Sequence, residues 1–274
     1  MPGAPVRDAL DSAVVALTAA GVDTPRLDAE VLLAHVLGVE RLALFTDSEA
    51  RVEGGAVRAF QDAIRRRSVE REPVAYITGV KGFRRLDLHV DSRVLIPRPE
   101  TETLVEAAVE ALPHGARVVD VGTGSGAIAL ALLDERPDLH VTATDVSEDA
   151  LTVARANAAR LGLDVAFARA DLLTGVGDFD AVVSNPPYVE DSAELAPEIV
   201  RHEPSLALRA GPDGLDVLRA LVPAAAALGA EVLAVEVGAG QAAAVERLAR
   251  EAGFTRTERR ADLAGIERVV VAWR

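Results

Sequence analysis

The feature that most constrains the fold is a regular alternation of apolar strand-like segments with helical segments in the second half of the chain. Five strands are predicted in this region, at residues 117–121, 140–145, 164–170, 179–184 and 231–237. Such alternation predicts a mostly parallel sheet with helices on both faces. Residues 254–260 and 266–273 form two further predicted strands joined by a short loop, so one of them must run antiparallel. The predicted fold is therefore α/β, with a seven-stranded, doubly wound, Rossmann-like sheet and an antiparallel last strand.

The first seventy residues show a different pattern, with apolar residues at helical spacing and no strand-like alternation. They predict a small all-α bundle, whose helices end near Gly21 and Gly38. Apolar residues then alternate from 82 to 96 with Asp91-Ser92 in the middle, which predicts a β-hairpin. We expect a helical substrate-recognition domain at 1–75, a hairpin linker at 76–97 and the α/β domain at 98–274.

Composition excludes several kinds of site. The chain has no cysteine and only five scattered histidines, so thiolate chemistry is excluded and we expect no metal. No apolar run approaches the roughly 18 residues of a membrane span, and no signal peptide is predicted, so we expect a cytoplasmic protein without membrane contact.

The charge is distributed unevenly. Residues 98–274 carry 29 Asp and Glu against 16 Lys and Arg, within a net charge of −14 for the whole chain. An acidic surface repels phosphate backbones, so direct binding of nucleic acid is not expected. The arginines at 65, 66, 67, 71, 84 and 85 are interpreted as a solvated face, with a partner-facing patch as the alternative.

A glycine-rich turn follows the first predicted strand of the α/β domain. It comprises Gly122, Thr123, Gly124, Ser125 and Gly126. Glycines at such a turn let a ligand approach the backbone, although tight turns also use glycine for steric reasons alone. Their spacing is shorter than the Gly-x-Gly-x-x-Gly of nicotinamide sites and is typical of methyltransferases. The expected cofactor is therefore S-adenosyl-L-methionine, held in the methyltransferase variant of the doubly wound sheet.

Two further positions extend the predicted cofactor site. Asp145 ends the next strand, nineteen residues after Gly126, where a carboxylate can accept hydrogen bonds from both hydroxyls of a ribose. The alternative for Asp145 is a charge at the helix start beside Ser147. Asp171 and Leu172 close the third strand, where the adenine is expected, although Asp171 is also typical of an ordinary turn.

The most informative segment ends the fourth strand and comprises Asn185, Pro186, Pro187 and Tyr188. Two successive prolines fix the backbone and remove two donors, so the carbonyls of Asn185 and Pro186 point outward. The Asn185 side chain adds an acceptor and Tyr188 an aromatic face. The group predicted here is planar and bears an NH₂: a glutamine amide or the exocyclic amine of a base. The candidate catalytic residues are Asn185, Pro186 and Tyr188, and all four residues are candidates for binding substrate.

At these residues the chain closely resembles the release factor glutamine methyltransferases, the HemK/PrmC family. The resemblance extends over almost the whole length through further matching stretches, at 72–79, 95–102, 203–204, 211–216, 236–241 and 265–268. It implies transfer of a methyl group from S-adenosyl-L-methionine to N5 of the glutamine in the Gly-Gly-Gln motif of class I peptide chain release factors. By the same resemblance, 122–126, Asp145, Leu172 and Asn185 contact the cofactor and 185–188 bind the glutamine. Leu172 departs from an aromatic residue found in some members, and Gly82 from an acidic one.

Two other functions are considered. An N6-adenine methyltransferase on DNA or RNA is the main alternative, because the same acceptors suit an exocyclic amine, but a base-flipping enzyme normally presents a basic groove. A non-catalytic binding module is disfavoured because every site residue type is present. We expect an enzyme that acts as a monomer on release factors.

Overall fold

The computed structural model describes residues 3–274, which divide into two compact units. One unit contains the chain up to Gly79 together with Leu195–His202, and the other contains Val80–Glu194 and Glu203–Arg274. This division differs from the three predicted ranges at two places. The hairpin belongs to the α/β unit, and a short segment far along the chain belongs to the helical unit.

The helical unit is organised around α1, α2 and α4. Numbered in chain order, its elements are β1 (Ala4–Pro5), α1 (Val6–Ala19), α2 (Pro25–Leu37), α3 (Ala43–Thr46), β2 (Arg51–Val52), α4 (Gly55–Arg65), a π-helical turn (Arg66–Glu70), α5 (Val74–Thr78) and the distant α9 (Pro197–His202). Leu10, Leu17, Leu32 and Leu33 are fully buried in its core. The antiparallel pair of β1 and β2 was not predicted, because two-residue strands leave no alternation to detect.

A buried ion-pair network explains why α9 belongs to the helical unit. The Arg67 Nε lies 2.7 Å from Asp28 Oδ2, and both side chains are buried. Glu198 of α9 adds a carboxylate 3.4 Å from Arg67 and 3.1 Å from Arg71. Burying arginine is costly unless it is paired, so Glu198 satisfies a requirement of this unit.

The α/β unit carries the remaining elements. They are β3 (Val80–Phe83), β4 (Leu86–His89), α6 (Thr101–Ala111), β5 (Arg117–Val121), α7 (Ala127–Glu135), β6 (His140–Asp145), α8 (Glu148–Leu161), β7 (Ala166–Arg169), β8 (Ala181–Ser184), a 3₁₀ turn (Ser205–Ala207), α10 (Asp216–Ala227), β9 (Val232–Glu236), α11 (Ala242–Glu251), β10 (Arg256–Ala261) and β11 (Glu267–Trp273). Among residues 3–274, no helix has the length and apolar character needed to cross a membrane.

Seven strands form the main sheet in the order β10-β11-β9-β8-β5-β6-β7. Strands β9, β8, β5, β6 and β7 are parallel, and β11 is antiparallel to both of its neighbours, β9 and β10. The last strand of the chain is therefore the antiparallel one. The predicted fold, a doubly wound methyltransferase sheet beside a helical N-terminal region, is confirmed.

Successive residues of the central strands pack on opposite faces of this sheet. Val118 and Val183 belong to a core that includes α6 and α7, whereas Val119 and Val182 belong to a core that includes α10 and α11. Burial on both faces explains why these strands are continuous apolar runs, which made them visible in the sequence.

The predicted β-hairpin is present, but the predicted position of its turn, at Asp91-Ser92, was wrong. Strands β3 and β4 pair antiparallel from Val80–His89 to Phe83–Leu86, so the turn is Arg84-Arg85. Arg84 has φ 52°, a left-handed conformation that a sequence signals only when glycine or asparagine occupies it. Asp91 instead forms a local turn beyond β4, where its carboxylate accepts the Arg93 N–H at 3.0 Å.

The clustered arginines are all paired with acids of their own unit. Arg65 pairs with Asp62 and Glu70, and Arg66 with Glu72. In the α/β unit, Arg84 pairs with Glu135 and Arg85 with Asp134. Arg67, paired as described above, is buried, so the interpretation as a solvated face is wrong for this residue, whereas Arg65 and Arg85 are exposed as that interpretation predicts.

Candidate active site

A cleft of about 250 Å³ lies at the edge of the sheet where the parallel strands end. Because all parallel strands point the same way, their following loops meet at this edge. The loops after β5, β6, β7 and β8 all contribute, through the predicted residues Gly122, Gly124, Asp145, Asp171, Leu172, Asn185, Pro186 and Pro187. The cleft thus brings together the predicted cofactor segment and the predicted substrate segment.

Four predicted residues lie outside the cleft lining within the described chain: Thr123, Ser125, Gly126 and Tyr188. Thr123 and Ser125 are buried beneath the glycine turn. The Thr123 hydroxyl donates to Asp120 Oδ2 at 2.6 Å, and the Ser125 carbonyl accepts from Asn157 Nδ2 at 2.9 Å. Their observed contacts hold the turn in place from below.

The glycine turn is held by β6. Gly122 N–H and Thr123 N–H both donate to the Thr144 carbonyl at 2.9 Å. Gly122 and Gly124 have φ of 73° and 56°, and a Cβ added to either would contact nothing within 4 Å. The backbone conformation, rather than crowding, therefore requires glycine, and the space above the turn is open to a ligand.

Asp145 is oriented by two backbone donors. Its Oδ2 accepts the Gly124 N–H at 3.0 Å and its Oδ1 accepts the Ser147 N–H at 2.9 Å. Burial raises the pKa of the Asp145 carboxyl, and the two backbone hydrogen bonds partly oppose this shift. Each oxygen keeps a lone pair beyond those bonds, so the carboxylate can accept two further hydrogen bonds from a ligand in the cleft.

Leu172 adopts an unusual backbone conformation at the end of β7. Its φ is 51°, in the left-handed region that branched side chains rarely enter. Leu172 lines the cleft and also packs against the core shared with α10 and α11. Asp171, beside it, is exposed, and its backbone carbonyl accepts the Thr174 N–H. This hydrogen bond is that of an ordinary turn, which was the alternative interpretation of Asp171. Both residues nevertheless face the cleft.

The Asn185 amide has a defined orientation. Its Nδ2 donates to Thr101 Oγ1 at 3.0 Å, which leaves Oδ1 as the oxygen able to accept from a ligand. The carbonyls of Asn185 and Pro186 accept no backbone hydrogen bond within the described residues. Three acceptors are therefore available at the beginning of this loop.

Tyr188 is held from two sides. Its hydroxyl donates to Glu236 Oε1 at 3.1 Å, and its carbonyl accepts from Gln241 Nε2 at 3.0 Å. Burial and the adjacent Glu236 raise the pKa of the Tyr188 hydroxyl well above its usual range, so this group keeps its proton. Gly238 lies against the ring, where a Cβ would come within 3.3 Å of it. The stretch 236–241 thus fixes the position of Tyr188.

Two buried carboxyls were missed by the sequence analysis. Asp120 and Glu236 are fully buried, and desolvation raises the pKa of each to about 7. Asp120 supports the glycine turn through Thr123 and the Ala129 N–H. A signal was present, since each acid stands within an apolar strand, where a charged residue is almost never buried without a specific reason.

Glu203 connects two of the stretches that carry the family resemblance, residues 95–102 and 203–204. Its buried carboxylate accepts from Arg98 at 2.6 Å and from the Ile96 N–H at 3.2 Å. The contact joins the segment before α6 to the segment that begins the cleft wall at Pro204. Among residues 3–274, no group of three or more His, Asp or Glu side chains is arranged to hold a metal.

Two family models match the chain, one for each part of the architecture. The PrmC N-terminal domain matches residues 8–79, and the methyltransferase small domain matches residues 99–242. A Deinococcus radiodurans protein named release factor glutamine methyltransferase is 45% identical over 276 residues, covering 98% of each chain. This chain belongs to the release factor glutamine methyltransferase family. A Moorella thermoacetica member is also 45% identical, with 98% of both chains covered.

Family membership also agrees with the division of the structure. The match to the PrmC N-terminal domain ends at residue 79, where the first segment of the helical unit ends, and the methyltransferase match begins beyond the hairpin and includes the second segment, Leu195–His202. Among solved structures, a methyltransferase from Pyrococcus furiosus is similar with a TM-score of 0.52 and 17% identity, covering 69% of this chain and 88% of that one. At that identity the likeness concerns the fold alone. The identification as a protein-glutamine methyltransferase comes from the full-length relatives.

Proposed function

We propose that this protein transfers a methyl group from S-adenosyl-L-methionine to N5 of the glutamine in the Gly-Gly-Gln motif of class I peptide chain release factors. The observation that carries the proposal is the oriented Asn185 amide beside two free carbonyls in the cleft that also contains Asp145 and the glycine turn. Relatives that are 45% identical over nearly their full length carry the name of this activity.

The residues of the cleft fit the proposed cofactor. Asp145 has lone pairs available for two ribose hydroxyls, and the open glycine turn allows close approach of the backbone. Leu172 would contact the adenine through apolar surface, since an aromatic stack is absent at that position. When bound, the cofactor supplies an electrophilic methyl group on a sulfonium.

The catalytic task of the protein is to orient a poor nucleophile. The lone pair of an amide nitrogen is delocalised into its carbonyl. Asn185 Oδ1 and the Pro186 carbonyl would accept the two N–H hydrogens of the glutamine amide, which draws electron density toward nitrogen and fixes its direction. Pro187 lines the cleft and would contact the plane of the amide, whereas Tyr188 lies outside the lining and would support the loop from behind through Glu236 and Gln241. Fixing the angle and distance of approach is the main contribution, and preorganised acceptors add electrostatic stabilisation without reorganisation.

The decisive experiment is methylation of a purified class I release factor, followed by mass spectrometry of the loop peptide. We expect the mass of one methyl group on the Gly-Gly-Gln peptide. We expect no methylation when that glutamine is replaced by alanine. Adenine-containing DNA and RNA serve as competing acceptors in a parallel reaction. Methylation that persists without the glutamine, or transfer to adenine, would contradict the proposal and favour the N6-adenine alternative.

A second prediction concerns the helical unit, to which we assign recognition of the release factor. A fragment comprising residues 80–274 should still bind S-adenosyl-L-methionine, because every residue of the cleft lies within it. It should lose methylation of the intact release factor. Calorimetry and the methylation assay measure the two properties, with circular dichroism as the control for folding. Full activity of the folded fragment would refute the recognition role.

The design of that fragment must allow for α9. Glu198 loses Arg67 and Arg71 when residues 1–79 are removed. A matched full-length variant, Glu198→Gln, tests whether loss of this ion pair alone explains any defect. We also propose that the enzyme acts as a monomer, which sedimentation of the full chain measures directly.

A further inference from the structure

We propose that Arg209 is a specificity residue for the methyl acceptor, donating hydrogen bonds from the cleft wall to backbone carbonyls of the peptide that carries the glutamine. The inference rests on the proposed function and extends it from the glutamine side chain to the residues beside it. Arg209 lines the cleft and lies in the segment that returns from α9.

The backbone places Arg209 on the substrate side of the cleft. Arg209 pairs with Val189 in an isolated parallel bridge, and the Val189 N–H donates to the Leu208 carbonyl at 2.8 Å. Val189 is three residues beyond Pro186, and three extended residues span at most about 11 Å. A peptide held at the Pro186 carbonyl would therefore reach Arg209 within a few residues of its glutamine.

Three backbone carbonyls orient the Arg209 guanidinium. Its Nη1 donates to the carbonyls of Glu190 and Asp191 at 2.8 and 2.6 Å, and its Nη2 donates to the Ala193 carbonyl at 3.3 Å. A guanidinium has five N–H donors, so two remain, one on Nε and one on Nη2. The side chain is half-buried, and a donor that is already oriented loses little conformational freedom when a ligand binds.

The positive charge of Arg209 is not neutralised by an acid of its own chain. Within residues 3–274 its guanidinium forms no ion pair, whereas Arg93, the other arginine of the cleft lining, pairs with Asp91 at 2.6 Å. A guanidinium bonded to neutral carbonyls keeps its full charge, and a charged donor forms a stronger hydrogen bond with a further acceptor. Arg209 therefore suits a ligand that brings acceptors to this wall.

The cleft wall beside the substrate segment is poor in backbone donors. Pro186, Pro187 and Pro204 line the cleft and have no N–H. The Ala207 N–H is already bonded to the Pro204 carbonyl at 3.0 Å. The two glycines beside the proposed glutamine have no side chains, so an enzyme recognises them through backbone groups and close packing. The free donors of Arg209 complement the carbonyls of those glycines.

The test measures binding of a synthetic peptide that contains Gly-Gly-Gln, with S-adenosyl-L-homocysteine present so that no methyl transfer is needed. We expect Arg209→Ala to raise the dissociation constant of the peptide, measured by fluorescence anisotropy, about 10- to 100-fold. Arg209→Lys keeps the charge but not the planar fork, so its loss should be nearly as large. Calorimetry should show little change in affinity for S-adenosyl-L-homocysteine. Arg247→Ala, at an exposed position of α11, is the matched control and should bind the peptide as wild type does.

A modified peptide distinguishes direct contact from support of the loop. Replacing one peptide bond of a glycine with a trans-alkene removes its carbonyl and keeps its planar shape. At one of the two glycines this replacement should weaken binding to the wild-type protein about 10-fold or more. The same replacement should have little effect on binding to Arg209→Ala, because the partner of that carbonyl is already missing. Such coupling between the two changes is the signature of a contact.

The outcomes are distinct. Peptide affinity at the wild-type level in Arg209→Ala would overturn the inference. Equal sensitivity of wild type and Arg209→Ala to both alkene replacements would also overturn it and would reduce Arg209 to a clamp for residues 190–193. If the release factor is methylated and the coupling is absent, the inference fails and the proposed function stands. If the coupling is present and no release factor is methylated, the proposed function fails and the peptide contact stands.

Discussion

Replacing Asn185 with alanine should lower kcat for glutamine methylation by about 10²-fold or more. The substitution removes a side-chain acceptor of the cleft whose amide donates to the buried Thr101 hydroxyl. Without it the substrate amide keeps only backbone acceptors, and its nitrogen is free to rotate away from the methyl donor. Affinity for the cofactor should fall far less, because the Asp145 contacts remain.

The measurement is single-turnover methylation of a release factor, with cofactor affinity determined separately by calorimetry. Asp191→Ala is the matched control, since Asp191 is exposed in the same loop and outside the cleft lining. Its rate should stay close to wild type. An Asn185→Ala rate near that of the control would remove Asn185 from the reaction and leave the backbone carbonyls as the only orienting groups.

The sheet could be predicted closely because its strands are buried on both faces. Predicted strands 117–121 and 140–145 agree with β5 and β6 at both ends. Such strands appear in the sequence as short apolar runs between glycines and helix starts. The hairpin turn could not be predicted, because the left-handed conformation at Arg84 depends on distant groups: Glu135 pairs with its guanidinium and Glu102 accepts its N–H.

The position of α9 was also beyond prediction. Nothing in the sequence of 195–202 links it to residues 28, 67 and 71, because the link is an ion-pair network between positions more than a hundred residues apart. Compact units are defined by such contacts and not by continuity of the chain. Sequence patterns detect local periodicity, so they predicted continuous domains.

The candidate site was predictable where residues follow parallel strands. The glycine turn, Asp145 and Asn185 all stand at strand ends, and the fold brings those ends together. The supporting residues Thr101, Glu203 and Glu236 were missed, because their roles arise from contacts across the fold. Glu236 could have been noticed as an acid within an apolar strand, but its partners required the structure.

The Asp145 carboxylate supports the second large prediction, which concerns the cofactor. Two charge-assisted hydrogen bonds to ribose hydroxyls contribute roughly 1.5–3 kcal/mol each. Asp145→Ala should therefore weaken binding of S-adenosyl-L-methionine by about 10²- to 10⁴-fold. The variant also loses the acceptors for Gly124 N–H and Ser147 N–H, so the glycine turn becomes less ordered. Both effects act in the same direction.

Two matched variants separate these effects by calorimetry. Asp149→Ala removes an equal charge from an exposed position in the first turn of α8 and should bind the cofactor as wild type does. Asp145→Asn keeps the shape of the side chain but points an NH₂ at one of the two backbone donors. Its loss of cofactor affinity should therefore lie between those of Asp149→Ala and Asp145→Ala. Burial raises the Asp145 pKa, so this carboxylate becomes protonated at a higher pH than an ordinary aspartate does. The affinity of the wild-type protein for S-adenosyl-L-methionine should therefore begin to fall at a correspondingly higher pH on acidification. Unchanged affinity in Asp145→Ala would refute the ribose assignment. Among the described residues, Asp145 is the cleft carboxylate that accepts a hydrogen bond from the glycine turn, so its loss could not be replaced by another acid in the same position.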